Sequence, residues 1–363
     1  MLGIGVDSGG THTTFSLVRD GVTLEAQGNE TSDSISNARG AGSLQATVAW
    51  IMRTIAAQDD DEICAWIGAA GFNGAAASYV IEAFTPYIEQ ARDAGRRWEI
   101  FIANDGVSLL KAPPLFGRGI AAIIGTGSVV MGAHPLCPDG VVKRSGAEWL
   151  VSDEGSGVWM TLLAVRMVLQ DIQQQGSDGY HSALLDRLCD YFGVEGSLLT
   201  DVSATHKALG RAELLAHKIS EGRLDAKRRL AGFVYPHLFD LAGLAAGRTH
   251  DRIASEVIAA SVRQIADHVE AVSEVLAAYT ADSPNDRERL PLVVGGNIAA
   301  NPLYEQQLRA AVSGCKYVGS LEVVGDAADL FARLAAHYAE APSREQRAIA
   351  RSFDSLHPVV QLL

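Results

Sequence analysis

Two short stretches combine glycine with hydroxyl side chains directly after an apolar run. They are Asp7-Ser8-Gly9-Gly10-Thr11 and Gly125-Thr126-Gly127-Ser128. In such turns the backbone amides point outward, the missing Cβ lets phosphate oxygens approach, and the hydroxyls add donors. Two of them facing each other would form a receptacle for a polyphosphate.

Carboxylates stand at the ends of two of the predicted strands. Asp105 ends the strand WEIFIAND (98–105), and Asp7 ends the opening strand. A carboxylate at a strand end that faces a cleft is suited to accept a proton. Asp105 could also act as the N-cap of a helix over 106–111, and the two roles are compatible. Asp7 could simply cap a hairpin turn.

The elements that must position these residues alternate between strand and helix in the first third of the chain. Apolar segments at 2–7 and 13–18 flank the first glycine turn and predict a hairpin. Hydrophobic spacing and length then predict further helices and strands. They are a helix at 44–55, a strand within 63–72, a helix at 77–92 that Pro86 bends or interrupts, and the strand at 98–105. This order predicts a mixed sheet flanked by helices.

The pattern restarts after Pro113-Pro114, with strand, glycine loop and strand over 119–135. A long helical segment follows Asp153, and strands and helices alternate again from 290 to 340. We therefore expect two domains of like architecture, 1–115 and 116–325. The second carries a helical insert at 155–281, and a C-terminal helix near 326–345 is a candidate to pack back on the first domain.

Composition excludes several classes of protein. The chain has 363 residues and a formal net charge of −13, which disfavours nucleic acid or an anionic membrane as a partner. No secretory signal is visible, and the apolar runs are too short to span a bilayer. Four scattered cysteines without a CxxC pair suit a reducing cytoplasm, and the histidines include no close ligand pair.

Five motifs, in order and spacing, resemble the N-acetylglucosamine kinase family. They are DSGGT, ND, GTGS, SDEGSG and VVGGN, between about residues 3 and 340. That family, which includes bacterial glucosamine kinases, belongs to the actin and sugar-kinase superfamily. The resemblance implies an α/β fold of two ribonuclease H-like domains of the actin/hexokinase type, with the active site in the cleft between them. It also implies transfer of phosphate from ATP, with Mg²⁺, to the 6-hydroxyl of an amino sugar, and a homodimer.

The resemblance assigns roles position by position. Asp105 would be the base that deprotonates the sugar hydroxyl, Asp153 would bind sugar hydroxyls, and Asp7 would lie near Mg²⁺ through water. The nucleotide would contact three segments. The first phosphate loop is Gly9, Gly10 and Thr11, and the second is Gly125, Thr126, Gly127 and Ser128. The border of the adenosine pocket is Gly295, Gly296 and Asn297.

The chain departs from the family pattern in the substrate region. Gly146, Ala147 and Glu148 occupy the place where many N-acetylglucosamine kinases have Gly-Trp-Gly. Glu148 would attract the free ammonium of glucosamine, although a salt bridge with Arg144 or Lys143 is an equal alternative. A further sugar contact falls on Asp33 or Asn37, between which the alignment does not decide.

Two other functions share this fold. An activator ATPase of the 2-hydroxyacyl-CoA dehydratase type needs paired cysteines to hold an iron–sulfur cluster across a dimer, and no cysteine here lies in such a loop. A non-catalytic sugar sensor of the repressor type needs a helix-turn-helix, whereas this sequence begins directly with the first predicted strand. Both alternatives are therefore less favoured than a kinase.

Overall fold

A computed structural model describes most of the chain. The described residues are 1–9, 13–29, 35, 41–138, 140–147, 151–175, 182–194, 204–221, 226–243, 251–283, 285–354 and 357–362. Five predicted site residues lie outside these ranges, namely Gly10, Thr11, Asp33, Asn37 and Glu148. Their roles stay predictions.

The secondary structure alternates as the sequence predicts, with a cluster of helices in the second half. The strands are β1 (Leu2–Ser8), β2 (Thr13–Arg19), β3 (Val22–Asn29), β4 (Glu62–Ala69), β5 (Arg97–Asn104), β6 (Gly119–Ile124), β7 (Ser128–Ala133), β8 (Val141–Ser145), β9 (Leu290–Gly295), β10 (Val318–Val324) and β11 (Val359–Leu362). The helices are α1 (Ala41–Ala56), α2 (Ala77–Asp93), α3 (Asp105–Lys111), α4 (Gly157–Gln175), α5 (Ala183–Phe192), α6 (Ala204–Glu221), α7 (Ala226–Phe233), α8 (Phe239–Ala242), α9 (Arg252–Ala277), α10 (Pro302–Val312), α11 (Ala327–Glu340) and α12 (Ser343–Ala350). Within the described ranges, no helix combines the length and hydrophobicity that a membrane span needs.

The strands form two mixed sheets that share one internal order. The first sheet runs β11-β5-β4-β1-β2-β3 and the second β10-β9-β6-β7-β8. In each sheet the opening strand is antiparallel to the strand that follows it and parallel to a later one, so β1 pairs with β2 and β4, and β6 with β7 and β9. The predicted fold class is confirmed, and the architecture repeats although the sequence does not.

Helix α11 packs directly on the opening strand of the first sheet. A Cβ on Gly5 would lie 1.9 Å from the carbonyl oxygen of Ala328, and one on Gly3 would lie 2.7 Å from that of Ala332. Glycine on the strand and alanine on the helix thus let the two backbones approach closely. At its start, α11 is capped by Asp326, whose Oδ1 accepts hydrogen bonds from the Ala328 amide (2.9 Å) and from Thr14 Oγ1 (3.0 Å). The contact fixes the end of β1.

The helices between β8 and β9 share a hydrophobic core with the second sheet. The long helix α9 buries a stripe that includes Ile258, Val262 and Ile265, in the same core as Ile120 and Ile124 of β6. The helical character predicted for 155–281 is therefore present in α4 to α9. This shared core places α4 next to the connection between β6 and β7.

Candidate active site

Asp7 and Asp105 lie along one edge of the first sheet. Strands β1, β4 and β5 are parallel, with Asp7 level with Gly68 and Ala69 level with Asn104, so all three strands end at the same edge. Both aspartates are half-buried. The edge therefore brings together two carboxylates that are separated by almost one hundred residues in sequence.

Asp7 lies among other acidic side chains. Burial raises the pKa of Asp7 to about 8, and the negative charges of Asp105 and Asp326 add to the effect. Asp7 is therefore largely protonated at neutral pH in the unliganded chain. A cation near this edge would favour its ionised form.

Asp105 is the first residue of α3 and is not its cap. The N-cap is Asn104, whose Oδ1 accepts a hydrogen bond from the Gly106 amide (3.0 Å). The same amide lies 2.9 Å from Asp105 Oδ1. The alternative of Asp105 as an N-cap is thus wrong, because the neighbouring Asn104 caps the helix.

The charge state of Asp105 is set by opposing effects. Burial raises the pKa of the carboxyl, whereas the amides of Gly106 and Asp105 and the charges of Lys143 and Lys227 lower it. Lys143 is on β8 opposite Met131 of β7, whose Sδ lies 2.6 Å from where a Cβ on Gly106 would stand. Cross-strand partners share a face, so Lys143 is on the face of the second sheet that meets the start of α3.

The second glycine loop is anchored to the start of α4. The Gly157 amide donates to the Gly125 carbonyl (2.9 Å) and the Val158 amide to the Thr126 carbonyl (3.4 Å). In a trans peptide the carbonyl and the following amide point in opposite directions. The amides of Thr126 and Gly127 are therefore turned away from α4, which is the arrangement a phosphate cradle requires.

Asp153 lies against this loop. The side chain is 5% exposed, and its Oδ2 is 2.6 Å from the position of a Cβ on Gly127, so a larger residue at Gly127 would collide with it. Ser128 Oγ donates to the carbonyl of Glu154 (2.7 Å), which ties the same segment to β7. The carboxylate of Asp153 is thus next to the predicted phosphate loop, and its sugar-binding role stays a prediction.

The side chain of Glu154 contacts several polar side chains at once, an arrangement that the sequence did not reveal. Its Oε2 accepts hydrogen bonds from Ser145 (2.9 Å) and Ser152 (3.3 Å) and lies 3.7 Å from His268 Nε2. Burial alone would raise the pKa of Glu154, but its own amide, these hydroxyls and the charge of His268 together lower it. Glu154 thus joins β8 to the segment that carries Asp153.

The remaining described candidates adjoin the same loop. Gly296 has φ +108°, and a Cβ there would lie 2.3 Å from the carbonyl oxygen of Ile124, so the end of β9 touches the end of β6. Gly295 ends β9 level with Ile123, and Asn297 follows directly. Gly146 accepts a hydrogen bond from Lys143 Nζ (2.8 Å), with Ala147 next to it. The second sheet thus brings the second phosphate loop, Gly125–Ser128, next to Gly295 and Gly296.

Ser8 links the first glycine turn to the segment between the two sugar-contact candidates. The buried Ser8 Oγ accepts hydrogen bonds from the Ile35 amide (3.1 Å) and from Thr13 Oγ1 (3.4 Å). Ile35 itself is 2% exposed. Ser8 therefore anchors Ile35 at the end of β1, close to Asp7 and Gly9.

The acidic edge fits a water-mediated magnesium ion. Mg²⁺ prefers oxygen ligands and commonly keeps several waters, with one or two carboxylates and the substrate phosphates completing its shell. Asp7 supplies such an oxygen, and Asp105 and Asp326 add negative charge near it. In the part of the chain that is described, no three His, Cys, Asp or Glu side chains are arranged to hold a metal ion.

Known structures of the same fold were found in several organisms. A Porphyromonas gingivalis protein assigned as an N-acetylglucosamine kinase is 15% identical, with a TM-score of 0.60 over 93% of this chain and 99% of that one. A Chromobacterium violaceum protein with the same assignment is 20% identical, with a TM-score of 0.54 over 92% and 98%. Schistosoma mansoni hexokinase, solved with glucose, is 12% identical, with a TM-score of 0.52 over 93% and 85%. At these identities the similarity shows the fold.

The sequence itself identifies the family. No curated protein sequence matches the chain. The sequence profile of the BadF/BadG/BcrA/BcrD ATPase family, however, matches residues 4–314, which is most of the chain. Membership implies use of ATP and agrees with the glycine motifs gathered on the second sheet. The chain belongs to the BadF/BadG/BcrA/BcrD ATPase family.

Proposed function

We propose that the protein is an ATP- and Mg²⁺-dependent hexosamine kinase that phosphorylates the 6-hydroxyl of glucosamine or N-acetylglucosamine. The observation that carries the proposal is Asp105, a half-buried carboxylate at the start of α3. The charges of Lys143 on the second sheet and Lys227 in the helical insert lower its pKa. A base that must meet both a sugar and a nucleotide needs such a position between the two sheets.

In this proposal the triphosphate lies between Gly9-Gly10-Thr11 and the loop Gly125–Ser128, with its adenosine near Gly295-Gly296-Asn297. The outward amides of Thr126 and Gly127 bind phosphate oxygens. Bound magnesium would neutralise charge on the phosphates beside Asp7.

Asp105 orients the sugar 6-hydroxyl and accepts its proton as the oxygen attacks the terminal phosphorus, and ADP leaves. Asp153, Gly146 and Ala147, together with Glu148 and Asp33 or Asn37, hold the sugar in this proposal. Glu148 would favour the ammonium group of glucosamine over an acetamide. Approach of the two sheets would exclude water, which otherwise competes for the phosphoryl group.

The cysteines favour a kinase over an iron–sulfur activator ATPase. All four are free and buried, and burial raises the pKa of Cys64 and Cys189, and that of Cys315 to about 11. A cluster shared across a dimer requires thiolates at an accessible surface. The homodimer that the family resemblance implies is part of the proposal, and light scattering on the purified protein tests it.

Asp105→Asn tests the function. A coupled assay of ADP release across neutral and amino hexoses, with glucosamine and N-acetylglucosamine compared by kcat/KM, should reveal the substrate of the wild-type protein. The variant should then lose about 10³-fold in kcat, because an amide cannot accept the proton, with nucleotide affinity nearly unchanged. Near-normal turnover by the variant would remove Asp105 from the mechanism, and a wild-type protein inactive on every hexose would reject the kinase.

A further inference from the structure

Helix α7 of the helical insert packs directly behind the second glycine loop. Thr161 of α4 donates from Oγ1 to the carbonyl of Leu230 (2.7 Å). A Cβ on Gly157 would lie 3.2 Å from the Cα of Ala231 and 3.2 Å from the carbonyl oxygen of Gly125. The start of α4 is thus sandwiched between α7 and the loop.

Lys227 occupies the loop-facing side of α7. It precedes Ala231 by four residues, so both are on one face of the helix, and side chains on a helix lean toward its N-terminus. Its neighbours face elsewhere, since Arg228 is exposed and the guanidinium of Arg229 lies 5.3 Å from the ring of Phe192. Lys227 is half-buried. Its side chain therefore belongs to the face of α7 that packs toward the start of α4 and the glycine loop.

Lys227 lies within electrostatic reach of the candidate base. Its positive charge lowers the pKa of Asp105, which requires that the two groups lie within electrostatic reach. The charge of Lys143 also lowers the pKa of Asp105, but its Nζ donates a hydrogen bond to the carbonyl of Gly146 (2.8 Å). Lys227 makes no hydrogen bond or ion pair with any residue that the structure describes. Lys227 is thus a half-buried cation whose charge reaches the base, on a helix that packs against the start of α4.

We propose that Lys227 is a catalytic residue that donates hydrogen bonds to the terminal phosphate of the bound nucleoside triphosphate. The inference rests on the proposed function and assigns a charge-stabilising role to the helical insert. During transfer, the bond from the sugar oxygen to phosphorus forms as the bond to ADP breaks, and the sugar proton passes to Asp105. The side chain of Lys227 stabilises the charge on the phosphoryl oxygens.

The test compares two nucleotides that differ in the terminal phosphate. Isothermal titration calorimetry with Mg²⁺ measures the affinities for ADP and for the imido analogue of ATP, AMP-PNP. In Lys227→Met we expect the affinity for AMP-PNP to fall about 10-fold or more while that for ADP changes less than about 2-fold, because only the analogue carries the group that Lys227 contacts. Turnover should fall about 10²-fold or more, with partial recovery in Lys227→Arg.

Arg228→Met is the matched control, because it removes a positive charge from the next position of α7 on an exposed face. It should leave both affinities unchanged. If Lys227→Met lowered the affinities for ADP and AMP-PNP equally, or lowered neither, the inference would be overturned. A purely structural role would not discriminate between the two nucleotides. If Lys227→Met lowers Tm by more than about 5 °C, Lys227→Gln is measured instead by the same criterion.

The two proposals fail differently. A wild-type protein that binds AMP-PNP more tightly than ADP, but phosphorylates no hexose, would reject the kinase and leave the role of Lys227 to be decided by the variant. A wild-type protein that binds neither nucleotide would reject both. Wild-type turnover together with an unaltered variant would reject Lys227 alone.

Discussion

The two central carboxylates differ in what surrounds them. The amides of Gly106 and Asp105 and the charges of Lys143 and Lys227 favour the ionised form of Asp105 against the effect of burial. Asp7 has only acidic neighbours among the groups that shift its pKa, namely Asp105 and Asp326. Different surroundings thus prepare one carboxylate to accept a proton and leave the other protonated until a cation arrives.

The raised pKa of Asp7 predicts a pH-dependent stability. The carboxyl ionises near pH 4 when unfolded and at about 8 when folded, so the folded state retains a proton that the unfolded state loses. The wild-type protein should therefore lose stability between pH 4 and 8 relative to Asp7→Asn, which does not titrate.

Urea denaturation in the presence of EDTA measures this difference. Between pH 5 and pH 9, Asp7→Asn should gain about 1–2 kcal/mol over the wild type, a small part of the full shift because Asp7 keeps some contact with solvent. Parallel pH profiles for the two proteins would contradict the assignment. Added Mg²⁺ and nucleotide should reduce the gain, because they favour the ionised carboxylate.

Local patterns singled out most of the candidate residues, whose roles stay predictions. Asp7, Asp105 and the loop Gly125–Ser128 lie at or directly after strand ends, so hydrophobic spacing and residue type were enough to mark them as candidates. Lys227 belongs to a helix of mixed charge with no motif of its own. Its position depends on how α7 packs against α4, a contact between distant segments that no local pattern encodes.

At the level of elements, the contact between β1 and α11 positions Asp7. Gly5→Ala would place a methyl group 1.9 Å from the carbonyl oxygen of Ala328, so the helix would have to move away from the strand. We expect a loss of about 3 kcal/mol in the free energy of unfolding, at the upper end of overpacking effects, together with weaker nucleotide binding.

Gly314→Ala is the control for this substitution, since the added methyl group would lie 3.5 Å from its nearest neighbour, an ordinary contact distance. It should change stability by less than about 1 kcal/mol. Equal effects of the two substitutions in urea denaturation would show that the strand and helix can separate without cost.

Element boundaries followed from the sequence where the periodicity was strong. The helix predicted over 77–92 is α2, and it continues through Pro86 instead of ending there. Its buried face, including Val80, Phe84 and Ile88, spans the proline, so packing outweighs one lost backbone hydrogen bond. The polar tail after Pro342 gave no comparable pattern, because β11 is short and depends on pairing with β5.

At the scale of the whole molecule, residues 342–354 and 357–362 form a C-terminal strap between the two sheets. Its strand β11 pairs with β5 in the first sheet. Its carbonyl at Phe353 lies 2.7 Å from where a Cβ on Gly140 would stand, in the connection between β7 and β8 of the second sheet. Helix α3 connects β5 of the first sheet to β6 of the second, and α11 follows β10 of the second sheet and packs on β1 of the first. The strap connects the two sheets in addition to these helices.

Lys111 anchors the strap to α3. It is 8% exposed, its Nζ donates to the carbonyl of Ala348 (3.2 Å), and the same atom lies 4.2 Å from the centre of the Phe353 ring. Burial lowers the pKa of Lys111 to about 8, with a further contribution from Arg351. The ammonium therefore depends on the carbonyl and the aromatic ring to remain charged inside the protein.

Phe353→Ala should loosen both sheets at once. Removing the ring takes away the cation–π contact of Lys111 and should cost about 1–3 kcal/mol of stability. Hydrogen exchange measured by mass spectrometry should then speed up in β5 and in the β7–β8 connection, although these lie on different sheets. Leu136→Ala, at an exposed residue of that connection, should leave β5 unaffected. Faster exchange confined to residues 351–354 would mean that the strap rests on the two sheets without coupling them, and that α3 and α11 alone govern their relative motion.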